Sequence, residues 1–419
     1  MQQRPELTLS CGLPSPLLLR DNRSGEVRVE RPDLAPVLAV DARLTAIERE
    51  LNLLLNITPT NNAEAWTDFQ RSGFDSVPTL QSRPLDFDSD LVKRDLYNSE
   101  IEQVEDAALN SLLRAKRDEI ARQITLLEDR GTSRFKYGAL QLYGAPGQSL
   151  IATAHFLLAH IDPQPITASS ITATAFADAA RAELESYGSR YPGFPVAVEV
   201  RDDVADLMVS FGRLLIPATA TFREDRVEPL IQHEVGTHVL TYRNGDSQPL
   251  KLLAVGLPSY EETQEGLAVL AEYVVGGLDP RRMRVLAARV VAAWMMLADA
   301  DFIEIFKHLT DDLGFAPRTA WSVVSRATYG GGSTKDIIYL RGIERVLGYF
   351  AEGRSIDPLL AGKLSLDHAP LVDDLIQQGV LEPPWARPRW LSAPGAETRL
   401  ERVRKGMRVA DLLGMDVAA

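Results

Sequence analysis

Two histidines five positions apart constrain this 419-residue chain more than any other feature. They stand in His233-Glu234-Val235-Gly236-Thr237-His238, and a regular α-helix cannot bring them together. At about 100° per residue, a five-residue step turns the second side chain roughly 140° away from the first. The common zinc helix, HExxH, keeps its histidines four apart and one above the other. A single π-helical turn would absorb the extra residue, and such turns occur mostly at functional sites. Gly236, between the histidines, eases the bending of the backbone. The segment therefore predicts a helix distorted at one turn so that two imidazoles share a centre.

A downstream carboxylate completes the ligand set. Glu265, in Gln264-Glu265-Gly266-Leu267-Ala268, follows His238 by 27 positions. Two imidazoles and a carboxylate are the donors of a catalytic zinc site, which leaves its fourth position to water. Glu234, beside a ligand, is placed to take a proton from that water. Glu262 is the alternative third ligand. Ser259 to Gly276-Gly277 reads as a second helix, with Ser259 and Glu262 spaced as a capping box. Glu261 in its first turn is expected to be a solvated partner of the helix dipole. Glu272 shares a face with Glu265 and is expected to orient a histidine N–H. Gly266 and Ala268 are expected to let this helix lie close against the His233 helix. A second pair of the same spacing, His155 and His160 in HFLLAH, lacks the acid after its first histidine. It is expected to be ordinary helix packing. The metal-ligating expectation is therefore His233, His238 and Glu265 with Zn2+, and the chemistry is that of a metallopeptidase.

Composition narrows the partners. Asp plus Glu number 58 against 45 Lys plus Arg, a net charge of −13, which argues against a nucleic-acid or anionic-membrane partner. The opening MQQRPELTLS has no apolar signal core. Residues 285–300 are apolar but interrupted by Arg289, and read as a buried core helix, not a membrane span. A single cysteine, Cys11, excludes an intramolecular disulfide. A cytoplasmic location is expected; no feature of the sequence specifies an oligomeric state.

The fold class expected is α+β, predominantly helical, with a small sheet and helical additions. Residues 1–40 read as an irregular arm, residues 41–380 as one catalytic domain with an N-terminal helical part, and 381–419 as a Pro- and Trp-rich tail. Helical spacing appears at 41–56, 99–130, 149–161 and 172–187, with a turn-rich stretch at 57–98. Residues 194–216, FPVAVEV followed by VADLMVSFGRLLIP, carry the strongest strand signal and suggest a hairpin. A strand just before the metal helix could hold an extended peptide by its edge. Helices are again expected at 279–299, 302–313, 316–328, 336–351, 368–379 and 398–413.

A third region joins Arg326 to Asp336 through a Gly-rich loop. It is not a phosphate loop, because Lys335 follows Thr334 instead of Gly and a helix leads in. Two roles are open to it. It is a connector between helices, or Lys335, Arg326 or Arg341 binds a substrate carboxylate while Tyr329 or Tyr339 donates to a developing oxyanion.

Together these residues resemble the QEGLA-motif family of zinc hydrolases. Its bacterial members have been labelled modulators of flavohaemoglobin expression, and its animal members include the microtubule-associated tyrosine carboxypeptidases. The resemblance rests on the 233–238 motif, on Asn244-Gly245 through Gln248-Pro249-Leu250, and on Glu261 to Ala268. It extends to Lys335 through Gly342 and to Tyr143-Gly144, and so spans roughly residues 40–380. It implies a zincin-like fold, zinc held by His233, His238 and Glu265, and Glu234 as base. It also implies removal of a C-terminal residue, tyrosine in the animal enzymes, from a peptide or protein. Two rival readings are an endopeptidase or amidase, indifferent to a blocked C-terminus, and a non-catalytic regulator in which the metal only fixes two helices.

Overall fold

The computed structural model describes residues 33–163, 169–204, 206–329 and 332–415. Most of the expected arm lies outside these residues, and from Leu34 onward the chain is already helical. Asp33 starts that helix, Leu34–Leu51, by accepting a hydrogen bond from the Ala35 N–H at 3.1 Å. Asn52, at φ 39°, ends it.

The stretch expected to be turn-rich is partly helical. Asn62–Arg71 and Ser89–Tyr97 each bury one apolar face, Phe69 and Leu96 being fully enclosed. Asp88 caps the second helix through the Asp90 and Leu91 N–H groups at 3.0 and 3.1 Å. Ser99 does not begin the next helix, because its hydroxyl donates back to the Leu96 carbonyl and closes the preceding one. The cap belongs to Asp106, and Ala107–Glu128 follows.

Sheet is sparse. Strand β1 (Ser170–Thr172) pairs antiparallel with a strand at Thr221–Arg223. Between them lie β2 (Val198–Arg201), β3 (Met208–Ser210) and β4 (Arg213–Pro217), ordered β2-β4-β3. The expected hairpin exists, but only between β3 and β4. Phe211 and Gly212 turn it with φ of 47° and 69°, the left-handed pair that a type I′ turn requires. The FPVAVEV segment instead runs parallel to β4, reached from it by a longer connection. Strand β3 is thereby left at a sheet edge.

Helices supply the rest. Pro280–Leu297 is a core helix, with Val290, Val291 and Ala292 fully buried. No helix among the described residues is long and apolar enough to cross a membrane. Tyr260–Val274 lies against Ile337–Ala351, and a Cβ on Gly266 would sit 2.4 Å from the Gly342 carbonyl oxygen. Gly266 thus admits the Gly342 helix, not the His233 helix as expected. The C-terminal segment folds back over the molecule. Asn244 donates to the Leu360 and Ala386 carbonyls and accepts from the Ala386 N–H, all at 2.7–2.8 Å. Gln248 does the same with both backbone groups of Glu382.

Candidate metal centre

The helix that begins at Val227 changes pitch at the motif. Val227–His233 is α-helical, Glu234–Val239 is π-helical, and Leu240–Ser247 is α-helical again. The Thr237 hydroxyl bonds the Gln232 carbonyl, five residues back, at 3.1 Å. Gly236 lies outside the left-handed region, so its reason is steric. A Cβ there would lie 2.6 Å from Gln232 Oε1 and 3.1 Å from the Trp390 ring. Trp390 Nε1 donates to the Gly236 carbonyl at 3.3 Å, satisfying backbone at the distorted turn.

The turn does what the spacing demanded. His233 Nε2 and His238 Nε2 lie 3.5 and 3.6 Å from the same atom, Glu265 Oε2. Two ligands at tetrahedral angles and bond lengths near 2.05 Å from one zinc ion stand about 3.4 Å apart. Glu265 Oε2 is buried without a hydrogen-bond donor, an exposed demand for positive charge. Among the described residues the convergent cluster is these three and no fourth. They fit a metal ion.

Each imidazole is oriented from behind. His233 Nδ1 lies 2.8 Å from Glu272 Oε1, so this ring nitrogen carries the proton and Nε2 turns its lone pair to the centre. Arg226 donates to the other oxygen of Glu272, and Arg282 stands 3.5 Å from Oε1. Burial opposes ionisation of Glu272, but Arg282, His233 and Arg226 outweigh it and hold its pKa at about 2. His238 Nδ1 faces Gln264 Oε1 at 3.4 Å, and Thr241 fixes that amide at 2.7 Å. Without a metal ion, burial disfavours charge on His233, yet Glu265, Glu272 and Glu234 raise its pKa to about 9. Burial works against the Glu265 carboxylate too, and the two histidines override it and keep it well below the usual range. Glu234 Oε1 is 4.0 Å from His233 Nε2, and burial raises its pKa against the pull of both histidines.

Residues 67–408 match the sequence profile of a family described as microtubule-associated tyrosine carboxypeptidase. The chain belongs to that family. No curated protein and no solved structure matches it. Membership implies a carboxypeptidase-like activity and, with it, a peptide or protein substrate.

The remaining candidates fall on both sides of the cleft wall in this member of the carboxypeptidase family. Tyr339, Lys335 and Arg326 line the cleft with His233, Glu234 and His238. Tyr329 and Arg341 do not. Tyr329 is 38% exposed at the end of its helix and packs against Phe302. Arg341 is held by Glu262 and by the Tyr143 carbonyl. Glu262, the alternative ligand, is likewise taken up by Arg341 and Arg345. The cleft cations proposed for a carboxylate have partners already. Lys335 Nζ lies 3.0 Å from Glu261, which is therefore no solvated helix-dipole acid. Arg326 forks onto Asp336 at 2.6 and 2.7 Å and reaches Asp206 at 3.0 Å. Ser259 forms no capping box. It sits at φ 57° and gives its N–H to Glu119. The decoy pair behaves as expected, His160 bonding the Phe156 carbonyl and His155 meeting Trp294 on a regular helix. Sequence reasoning missed Gln264, Thr241 and the lysine at 363, none of which belongs to a ligand pattern.

Proposed function

We propose that this chain is a zinc carboxypeptidase with a zincin-like core, removing a C-terminal residue, tyrosine by the family's description, from a peptide or protein. One observation carries the reading: the three donors of His233, His238 and Glu265 converge on a single buried point where Glu265 Oε2 lacks a donor. Zinc bound by these residues would supply a Lewis acid that acidifies water and polarises a carbonyl.

The chain's own groups do the rest. Glu234 takes a proton from the attacking water and returns it to the leaving amine. Burial raises its pKa and so makes its carboxylate a better base near neutrality. Tyr339 donates its hydroxyl hydrogen to the carbonyl oxygen as that oxygen gains charge. Burial pushes the Tyr339 pKa far up, which keeps the phenol protonated, and Arg282 and Arg289 flank its ring at 5.6 and 5.0 Å. Edge strand β3 contributes Met208 and Val209 to the cleft, offering backbone groups to an extended substrate. Lys335 and Arg326, paired with acids, hold the cleft wall in shape.

Elemental mass spectrometry on the purified parent and on His233→Ala is the first test. About one zinc per chain, lost in the variant, supports the centre; little metal in either after zinc is supplied removes the basis for hydrolysis. Glu234→Gln should then keep the metal and lose cleavage of a peptide ending in tyrosine.

A further inference from the structure

One cation in the cleft lacks a carboxylate partner. Lys363 is buried and lines the cleft with Glu265, Gln264 and Tyr260, and among the described residues it forms no ion pair, whereas Lys335 and Arg326 do. Its position is built. The Lys363 N–H donates to the Leu253 carbonyl at 2.7 Å, and its own carbonyl accepts from the Leu257 N–H at 2.9 Å. Gly362 permits this approach, since a Cβ there would lie 2.7 Å from the Leu253 carbonyl oxygen. The ammonium stands 5.6 Å from the Tyr260 ring centre and 5.8 Å from that of Tyr242. Two aromatic faces compensate it only in part.

An ammonium buried this way lowers stability, and an apolar side chain would serve packing better. Burial accordingly depresses its pKa to about 8, against the attraction of Glu261, Glu265 and Glu48, with Lys335 adding repulsion. Lys363 also lines an adjoining recess with Leu53, Leu54, Val255, Tyr242 and Tyr260, whose two acids, Glu48 and Glu261, are already paired with Lys116 and Lys335. A terminal residue could place its side chain there and its carboxylate at the ammonium.

We propose that Lys363 binds the free C-terminal carboxylate of the substrate, supplying the recognition that makes the cleft select chain ends. This rests on the carboxypeptidase reading above.

The test uses the full chain, zinc-loaded and carrying Glu234→Gln to prevent turnover. Its probe is a fluorescent peptide ending in tyrosine, as the free acid and as the amide. A charge-assisted hydrogen bond is worth about 1.5–3 kcal/mol, so the free acid should bind roughly 10–150-fold more tightly than the amide. Adding Lys363→Met should abolish that preference by weakening the acid alone, and Lys363→Arg should restore much of it. Lys363→Gln provides a second neutral variant, and melting temperatures on the same samples show that each is folded. A Lys363→Met protein that keeps the full preference overturns the assignment and leaves the carboxypeptidase reading intact. A parent that binds both forms alike, and in its active form cleaves both, defeats the carboxypeptidase reading itself.

Discussion

At the residue scale, the centre depends on what stands behind its ligands. Glu272 is held ionised by Arg226 and Arg282 and gives its other role to His233 Nδ1. Glu272→Gln keeps an acceptor but removes the charge that makes the imidazole a better donor. Partners of this kind typically change metal affinity by about 10–100-fold, so a competition titration with a chromogenic chelator should show a loss of that size. Unchanged affinity would mean that Glu272 only neutralises arginines. Lys363 gives a pH prediction with opposite signs for stability and binding. Its folded pKa, about 8, lies below the ordinary value of 10.5. Between those values the unfolded chain binds a proton that the folded chain has released, so the contribution of this lysine to stability improves as pH rises. Below pH 8 the full penalty is present. Lys363→Met should therefore melt higher than the parent at pH 7, with the gap closing above about pH 10.5. Over the same rise through pH 8, the parent should lose its preference for a free carboxylate.

At the element scale, the distorted helix was legible and its surroundings were not. Five-residue spacing is a local fact: rotation per residue alone required a changed pitch between His233 and His238, and Glu234–Val239 supplies it. Glu265 and Glu272 were legible for the same reason, being set on one face of one helix. What Gly266 touches was not, because small residues announce a close approach without naming the neighbour. Nor could the partners of Lys335 and Arg326 be read, since Glu261 and Asp336 are matched to them only by folding. Lys363 sits in no motif at all; its burial follows from backbone bonds to Leu253 and Leu257, more than a hundred positions away. The Gly266–Gly342 contact also sets the depth of Glu265. A methyl group at 266 meets backbone, which cannot rotate aside, so Gly266→Ala must part the two helices. Overpacking of that kind costs about 1–3 kcal/mol, and because Glu265 rides on the displaced helix, zinc affinity should fall together with melting temperature. A variant that loses stability yet binds zinc as before would show that the centre tolerates the shift.

At the scale of the whole molecule, the centre is assembled from segments distant in sequence. The His233 helix, the Glu265 helix and the Gly342 helix form its walls, and the C-terminal segment closes over the outside of the π-helical turn. Trp390 is 1% exposed and bonds the Gly236 carbonyl, while Arg389 forks onto Glu183 and reaches Glu228. Pro- and Trp-rich composition had suggested a tail. Its contacts instead tie the strands' neighbouring helix, Ala173–Arg190, to the metal helix. The π-helical turn has no strong preference of its own and persists because its surroundings over-determine it. Trp390→Ala removes both a buried ring and a donor to that turn. Large aromatic truncations cost about 3–5 kcal/mol, enough to lower the melting temperature by many degrees. The informative comparison is Trp390→Phe, which keeps most of the ring but loses the N–H. If Trp390 acts on the centre through the turn, Trp390→Phe should retain most of the stability and still bind zinc more weakly than the parent. If packing is its entire role, the zinc affinity of Trp390→Phe should match the parent's, and only Trp390→Ala should be impaired.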